Sequence, residues 1–135
     1  MTRIPQLAAV GLALGLLAAA SPALAHHSFA MFDFNRTVTL KGTVKEFQWT
    51  NPHVVLWIET DPAGGDGPVM WSAELTSPGN LMRFGWSRQM LKPGDKIELE
   101  LNPLRDGKHG GGFYRATLLA SGQVLTGAGP RPATP

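Results

Sequence analysis

The amino-acid sequence predicts an all-β protein with one short helix, folded as a five-stranded OB-like Greek-key barrel. Its 16 Gly and 11 Pro among 135 residues, with only 16% charged residues, argue against helical bundles and coiled coils, which need long periodic Ala/Glu/Lys-rich stretches. Five segments alternate apolar and polar residues as half-buried strands do. A single short helix signal separates the third segment from the fourth, which is the element order of the OB barrel. The alternative is a small β-sandwich, which usually needs about seven strands.

The first 25 residues have the features of a secretory signal peptide. Arg3 precedes an apolar and glycine run over residues 7–20, Pro22 ends that run, and Ala-Leu-Ala follows at 23–25. Small residues at the first and third of these positions are what signal peptidase recognises. We expect cleavage after Ala25 and a periplasmic or secreted product with no stable membrane insertion. An uncleaved anchor would need about 20 apolar residues, a length the run barely reaches.

The alternating segments predict the first three strands at residues 37–48, 54–59 and 69–75. In the first of them Gly42 interrupts the apolar face and Phe47 continues it with the opposite parity, so we expect a bend or bulge near Lys45. Asn51-Pro52 is a turn signal, and the sequence DPAGGDGP at residues 61–68 indicates a hairpin loop.

The second half of the chain begins with a helix signal. Ser77-Pro78 is typical of a helix N-cap followed by proline at the first helical position. The sequence KPGD at residues 92–95 indicates a type II turn with Gly94 at positive φ. The remaining segments are predicted as a strand at 96–101, a flexible loop at 102–112 and a strand at 113–119.

The chain is expected to contain a single domain. Residues 26–36 form an N-terminal arm, residues 37–120 the barrel, and residues 121–135 a tail. This tail is rich in Pro and Gly and low in apolar residues, and such segments cannot bury enough apolar surface to fold. We therefore predict that it is disordered.

Several short motifs are spread over the predicted mature chain. They are His26-His27-Ser28-Phe29, Leu40-Lys41-Gly42, Trp49-Thr50-Asn51-Pro52-His53, Ser77-Pro78, Gly85-Trp86 and Lys92-Pro93-Gly94-Asp95. Through them the chain resembles a family of small exported bacterial proteins known as a domain of unknown function. The resemblance covers roughly residues 26–119. It implies export and a single domain, and it implies no activity.

The leading functional hypothesis is a binding module for copper or another transition metal. Cleavage after Ala25 would give His26 a free α-amine beside its imidazole, and such nitrogen ligands suit Cu(II). His27 or His53 would complete a three-nitrogen site. An N-terminal His completed by a second His resembles the histidine brace of copper monooxygenases and related copper-binding proteins, here in the terminal residue alone. The alternative is that a flexible terminus binds metals weakly and that His53 is a hydrogen-bonded turn residue.

A second hypothesis is a metal-free module that docks a protein, peptide or saccharide. Trp57 and Trp71 lie on neighbouring predicted strands. If both point outward, they would form one aromatic surface. The alternative is that both fill the core of a small barrel. An error of one residue in strand parity would exchange the two faces.

Other function classes find little support in the sequence. The net charge is only +2, and the basic residues are scattered, so we expect no nucleic-acid partner. The absence of cysteine excludes disulfides, Cys-ligated metals and thiol catalysis. No nucleophile–base pair is visible. We therefore expect binding rather than catalysis, with a metal ion or an envelope protein as the partner.

Overall fold

The computed structural model describes residues 27–60 and 67–129. Its elements, in chain order, are α1 (His27–Ala30), β1 (Val38–Gln48), β2 (Val55–Thr60), β3 (Val69–Glu74), α2 (Pro78–Arg83), β4 (Lys96–Pro103), β5 (Gly110–Leu118) and β6 (Val124–Thr126). The five predicted strands and the predicted helix are all present. The single-turn α1 and the short β6 are additional.

The strands form one closed sheet. Its order is β3-β2-β1-β4-β5-β6, and β3 also pairs with β5. The β3–β5 pairing is parallel, whereas all the other strand pairs are antiparallel. The result is a closed five-stranded mixed barrel with β6 as an extra strand. The predicted OB-like barrel is confirmed, with α2 between β3 and β4 as this fold requires.

Alternate residues of each strand fill the inside of the barrel, as the twofold periodicity predicts. The fully buried side chains include Val44, Leu56, Ile58, Ala73, Ile97, Leu99 and Leu101. In β1 the register against β2 shifts between Val44 and Glu46, so the predicted bulge at Lys45 is present. The extra residue changes the parity of β1 and turns Phe47 toward the core, where it packs.

Gly42 lies where the backbone of β1 passes close to that of β2. A Cβ atom at this position would stand 2.5 Å from the carbonyl oxygen of Glu59. Such a distance is far inside van der Waals contact, so this position accepts only glycine without movement of the backbone.

The helix and turn signals of the second half are also confirmed. The Ser77 hydroxyl accepts a hydrogen bond of 3.3 Å from the Asn80 N–H, and Pro78 is the first residue of α2. α2 buries Leu81 completely. In the turn at residues 92–95 the Asp95 N–H donates to the Lys92 carbonyl, and Gly94 has φ 96°.

Residues 110–112, predicted to be part of a flexible loop, are buried and begin β5. Their prediction as a loop is wrong because glycine is needed here for close packing and not for flexibility. A Cβ atom on Gly111 would overlap the carbonyl oxygen of Asn102, and one on Gly110 would lie 2.8 Å from the Ser72 hydroxyl. Glycine in a strand often marks such a close approach of two backbones.

The predicted disordered tail is wrong for residues 121–129. Strand β6 pairs with β5, and Leu125 and Ala128 are buried. The indole N–H of Trp86 donates to the Thr126 carbonyl at 3.2 Å, and the Thr76 N–H donates to the Ala128 carbonyl at 2.8 Å. Pairing of β3 with β5 ends at residues 74 and 112. Beyond that point the backbone groups need new partners, and this segment supplies them.

The N-terminal arm is clamped to the end of β4. Phe32 is 1% exposed and forms an antiparallel bridge with Leu104. The Asp33 N–H donates to the Pro103 carbonyl at 2.8 Å, and the Arg105 N–H donates to the Met31 carbonyl at 2.9 Å. The arm is therefore held beside the loop that joins β4 to β5.

Substitution in β6 tests whether the C-terminal segment stabilises the barrel. Leu125 is 5% exposed, so Leu125→Ala is expected to lower the free energy of unfolding by about 2–5 kcal/mol. The matched control is Val124→Ala on the same strand. Val124 is 52% exposed, and its truncation should cost less than about 1 kcal/mol. Urea denaturation measures both values, and equal small losses would show that the segment does not pack on the barrel.

Candidate functional site

The strongest candidate site lies on the outer face of β1, β2 and β3. The register places Glu46 opposite Trp57, and Trp57 opposite Ser72. Leu56 and Ala73, the neighbours of Trp57 and Ser72 along their strands, are fully buried. Because side chains alternate along a strand, those of Glu46, Trp57 and Ser72 point away from the core. The outward side chains of Glu46, Gln48, Trp57, Glu59 and Glu74, together with His53 from the β1–β2 loop, are called the Trp57 face below.

His53 and Glu74 form the closest polar contact on this face. Nδ1 of His53 lies 2.6 Å from Oε1 of Glu74, a hydrogen bond in which the imidazole donates. Backbone hydrogen bonds between Val54 and the chain at 75–76 bring the loop to the end of β3. Burial raises the pKa of Glu74, and His53 opposes that rise. Because Nδ1 is occupied, Nε2 is the imidazole nitrogen that can meet a ligand.

Trp57 is half-buried, and its orientation is fixed. Its indole N–H donates to the side-chain oxygen of Gln48 at 3.3 Å. One edge of the indole is thus tied to β1, while part of the ring reaches solvent. A tryptophan with an apolar body and a satisfied polar edge is suited to contact with a ligand.

The structure does not bring Trp57 and Trp71 onto one surface. Trp71 stands opposite Ile58, which is fully buried, and Trp71 itself packs against the core. Its ring lies 4.9 Å from that of His109, at an angle of 32°. Because side chains alternate along a strand, residues 57 and 71 point to opposite sides of the sheet.

Of the three candidate metal ligands, the structure describes the side chain of His53 alone. His26 and the His27 side chain are outside the part of the chain that the structure describes, and His53 is paired with Glu74. Among the described side chains no group of three or more His, Asp or Glu converges as a metal site would require.

The N-terminal arm is held far along the chain from the β1–β2 loop. It forms a bridge with Leu104 and hydrogen bonds to residues 103 and 105, beside the β4–β5 loop. His53 lies beside Glu74, at the end of β3.

The role of Glu74 is not apparent from the alternation within β3, although the sequence holds a signal for it. A hairpin folded symmetrically about the 61–68 loop pairs residue 60 with residue 69, as the structure does. The same symmetry places Val55 opposite Glu74 and Trp57 opposite Ser72. It therefore predicts both the carboxylate next to the β1–β2 loop and the separation of the two tryptophans.

The fold defines a small OB-like barrel protein with an outward polar and aromatic face. The chain belongs to DUF6152, described as a family of unknown function, whose model matches residues 13–113. A search of the curated proteins finds no match, and a search of the solved structures finds none. In residues 27–60 and 67–129 no helix is long and apolar enough to span a membrane. The predicted signal peptide and its cleavage site lie outside the described residues.

Replacing Glu74 tests the electrostatics of the site. Because burial raises its pKa above the ordinary 4.5, the native state binds this proton more tightly than the unfolded chain does. Protonation of Glu74 thus stabilises the folded state. This contribution to the free energy of unfolding is complete below the ordinary pKa and is lost as the pH rises through the raised pKa. As the pH rises from below 4.5 through the raised pKa, the wild type should therefore lose stability relative to Glu74→Gln.

Urea denaturation of both proteins across this pH range measures the difference. The matched control is Glu98→Gln. It removes the carboxylate of an ion pair on the barrel surface, in which Oε2 of Glu98 on β4 lies 3.6 Å from Nζ of Lys41 on β1. Identical pH profiles for the Glu74→Gln and Glu98→Gln variants would contradict the assignment.

Proposed function

We propose that the protein is an exported binding module that docks its ligand on the Trp57 face. The observation that carries this proposal is the half-buried indole of Trp57, tied to Gln48 at 3.3 Å, with the His53–Glu74 pair on the same surface. OB barrels bind their ligands on the surface of strands 2 and 3 and on the loop between strands 1 and 2. The Trp57 face occupies this part of the barrel.

The hydrogen bond of Trp57 to Gln48 favours ligand binding because it reduces the conformational entropy lost when a ligand binds. A side chain held in one orientation before binding loses less conformational entropy when the ligand arrives. Tryptophan also dominates the energy of many interfaces, since it offers a large flat surface with few rotatable bonds. The Gln48 amide supplies the restraint without covering the exposed part of the ring.

The His53–Glu74 pair supports the same role through its remaining nitrogen. A carboxylate on Nδ1 sets which tautomer the imidazole adopts and directs Nε2 outward. Nε2 has no hydrogen-bond partner among the described residues. It can accept a hydrogen bond from a ligand when neutral and donate one when protonated.

NMR titration with three probes tests the docking function. The probes are chitotriose, a tetra-arginine peptide and Cu(II), each added to protein that begins at His26. At least one probe should shift the resonances of the Trp57 indole and of His53. Trp57→Ala should lower the affinity for that probe by about tenfold. The matched control is Tyr114→Ala, because Tyr114 is an aromatic residue on β5 that is 56% exposed. Absence of binding, or equal effects of the two variants, would contradict the proposal.

A copper site at the mature N-terminus is a second candidate function. The clamp of the arm favours it, because the burial of Phe32 holds the chain to the barrel shortly after His27. The place where the arm is held favours His109 ahead of His53 as the companion ligand. His109 is exposed in the β4–β5 loop, beside which the arm is held.

Native mass spectrometry with one equivalent of Cu(II) tests this second candidate. Protein that begins at His26 should retain one copper ion, and an extra residue before His26 should abolish its retention, because the free amine is then lost. His109→Ala should lower retention more than His53→Ala does. If the native terminus retains no copper, the candidate is excluded.

A further inference from the structure

We infer that the Trp57 face binds a lysine- or arginine-bearing segment of a partner protein. This inference rests on the proposed docking function and specifies the chemistry of its ligand. It follows from the distribution of charge around Trp57 and from the orientation of its indole.

The Trp57 face is acidic although the chain as a whole has a net charge of +2. It carries the carboxylates of Glu46, Glu59 and Glu74 on three neighbouring strands. Nζ of Lys45 lies 3.4 Å from Oε1 of Glu59, and His53 pairs with Glu74. The face therefore has three acidic side chains against one lysine, with a histidine that is charged only when protonated.

Glu46 is the carboxylate that remains for a ligand. It is exposed and has no cationic partner among residues 27–60 and 67–129. It stands directly opposite Trp57 on β1, and such pairs have Cβ atoms about 4.5–5.5 Å apart. A cation above the indole would thus lie within reach of the Glu46 carboxylate.

The indole itself attracts the same kind of group. An ammonium or guanidinium within about 6 Å of the ring centroid is drawn to the electron-rich face of tryptophan. Glu59 lies two residues from Trp57 on β2 and points to the same side of the sheet. A Lys or Arg side chain on the ring is therefore flanked by Glu46 and Glu59.

The remaining chemistry of the face favours a basic peptide over a saccharide or a metal ion. Carboxylates only accept hydrogen bonds, and the N–H of the indole is already used by Gln48. The face is therefore rich in acceptors, which suits a ligand that brings donors, and arginine brings five in a rigid fork. The described side chains contain no three-ligand group for a metal.

Titration with the tetra-arginine peptide, followed by tryptophan fluorescence and NMR, tests the inference. We expect binding to weaken by about tenfold in Trp57→Ala. Glu46→Gln should weaken it by about fivefold, and about 0.5 M salt should weaken it strongly. The matched control is Glu98→Gln, which makes the same charge change on β4. Its affinity for the peptide should stay within about twofold of the wild type.

The outcomes separate this inference from the docking function. If chitotriose binds in a Trp57-dependent manner and the tetra-arginine peptide does not, the docking function holds and the basic partner is excluded. If Glu46→Gln and Glu98→Gln lower the affinity for the peptide equally, the attraction is a general charge effect, and the inference is overturned. If no probe shifts the Trp57 face, both proposals fail.

Discussion

The contact between β3 and β5 closes the barrel, and glycines at the start of β5 fit it between its two neighbouring strands. A Cβ atom on Gly110 would lie 2.8 Å from the Ser72 hydroxyl on β3, and one on Gly111 would overlap the Asn102 carbonyl on β4. Closure in turn directs Leu56 and Ala73 inward. Because side chains alternate along a strand, Trp57 and Glu74 must then point outward. The composition of the Trp57 face is therefore a consequence of how β5 meets β3.

The same contact has a second effect at its far end. Pairing of β3 with β5 stops at residues 74 and 112, and the C-terminal segment occupies the space that opens beyond them. There Leu125 and Ala128 add to the core, and the Thr126 carbonyl satisfies the indole of Trp86. Glu74 lies at the point where β3 leaves β5. Its partial burial and its hydrogen bond to His53 both arise from this position.

Local patterns in the sequence predicted most of the barrel because each depends on neighbouring residues alone. The alternation in β4, the Ser77 cap and the Gly94 turn are of this kind. β6 has three residues in a Pro- and Gly-rich segment, and it is stabilised by pairing with β5 and by the hydrogen bond from the Trp86 indole to the Thr126 carbonyl. Residues 110–112 have a low intrinsic preference for strands, which tertiary packing overrides. The separation of Trp57 from Trp71 depends on register, which periodicity within one strand does not determine.

The position of β6 near the C-terminal end of the described chain also determines when its tertiary contacts can form during synthesis. The Trp86–Thr126 hydrogen bond spans 40 residues, and the Thr76–Ala128 bond spans a still longer stretch of chain. A ribosome makes a chain from its N-terminus at about 5–20 residues per second. These two hydrogen bonds and the burial of Leu125 and Ala128 therefore cannot form before residue 128 has been synthesised. Contacts this distant in sequence also make folding slow, because the loops between them must first be closed.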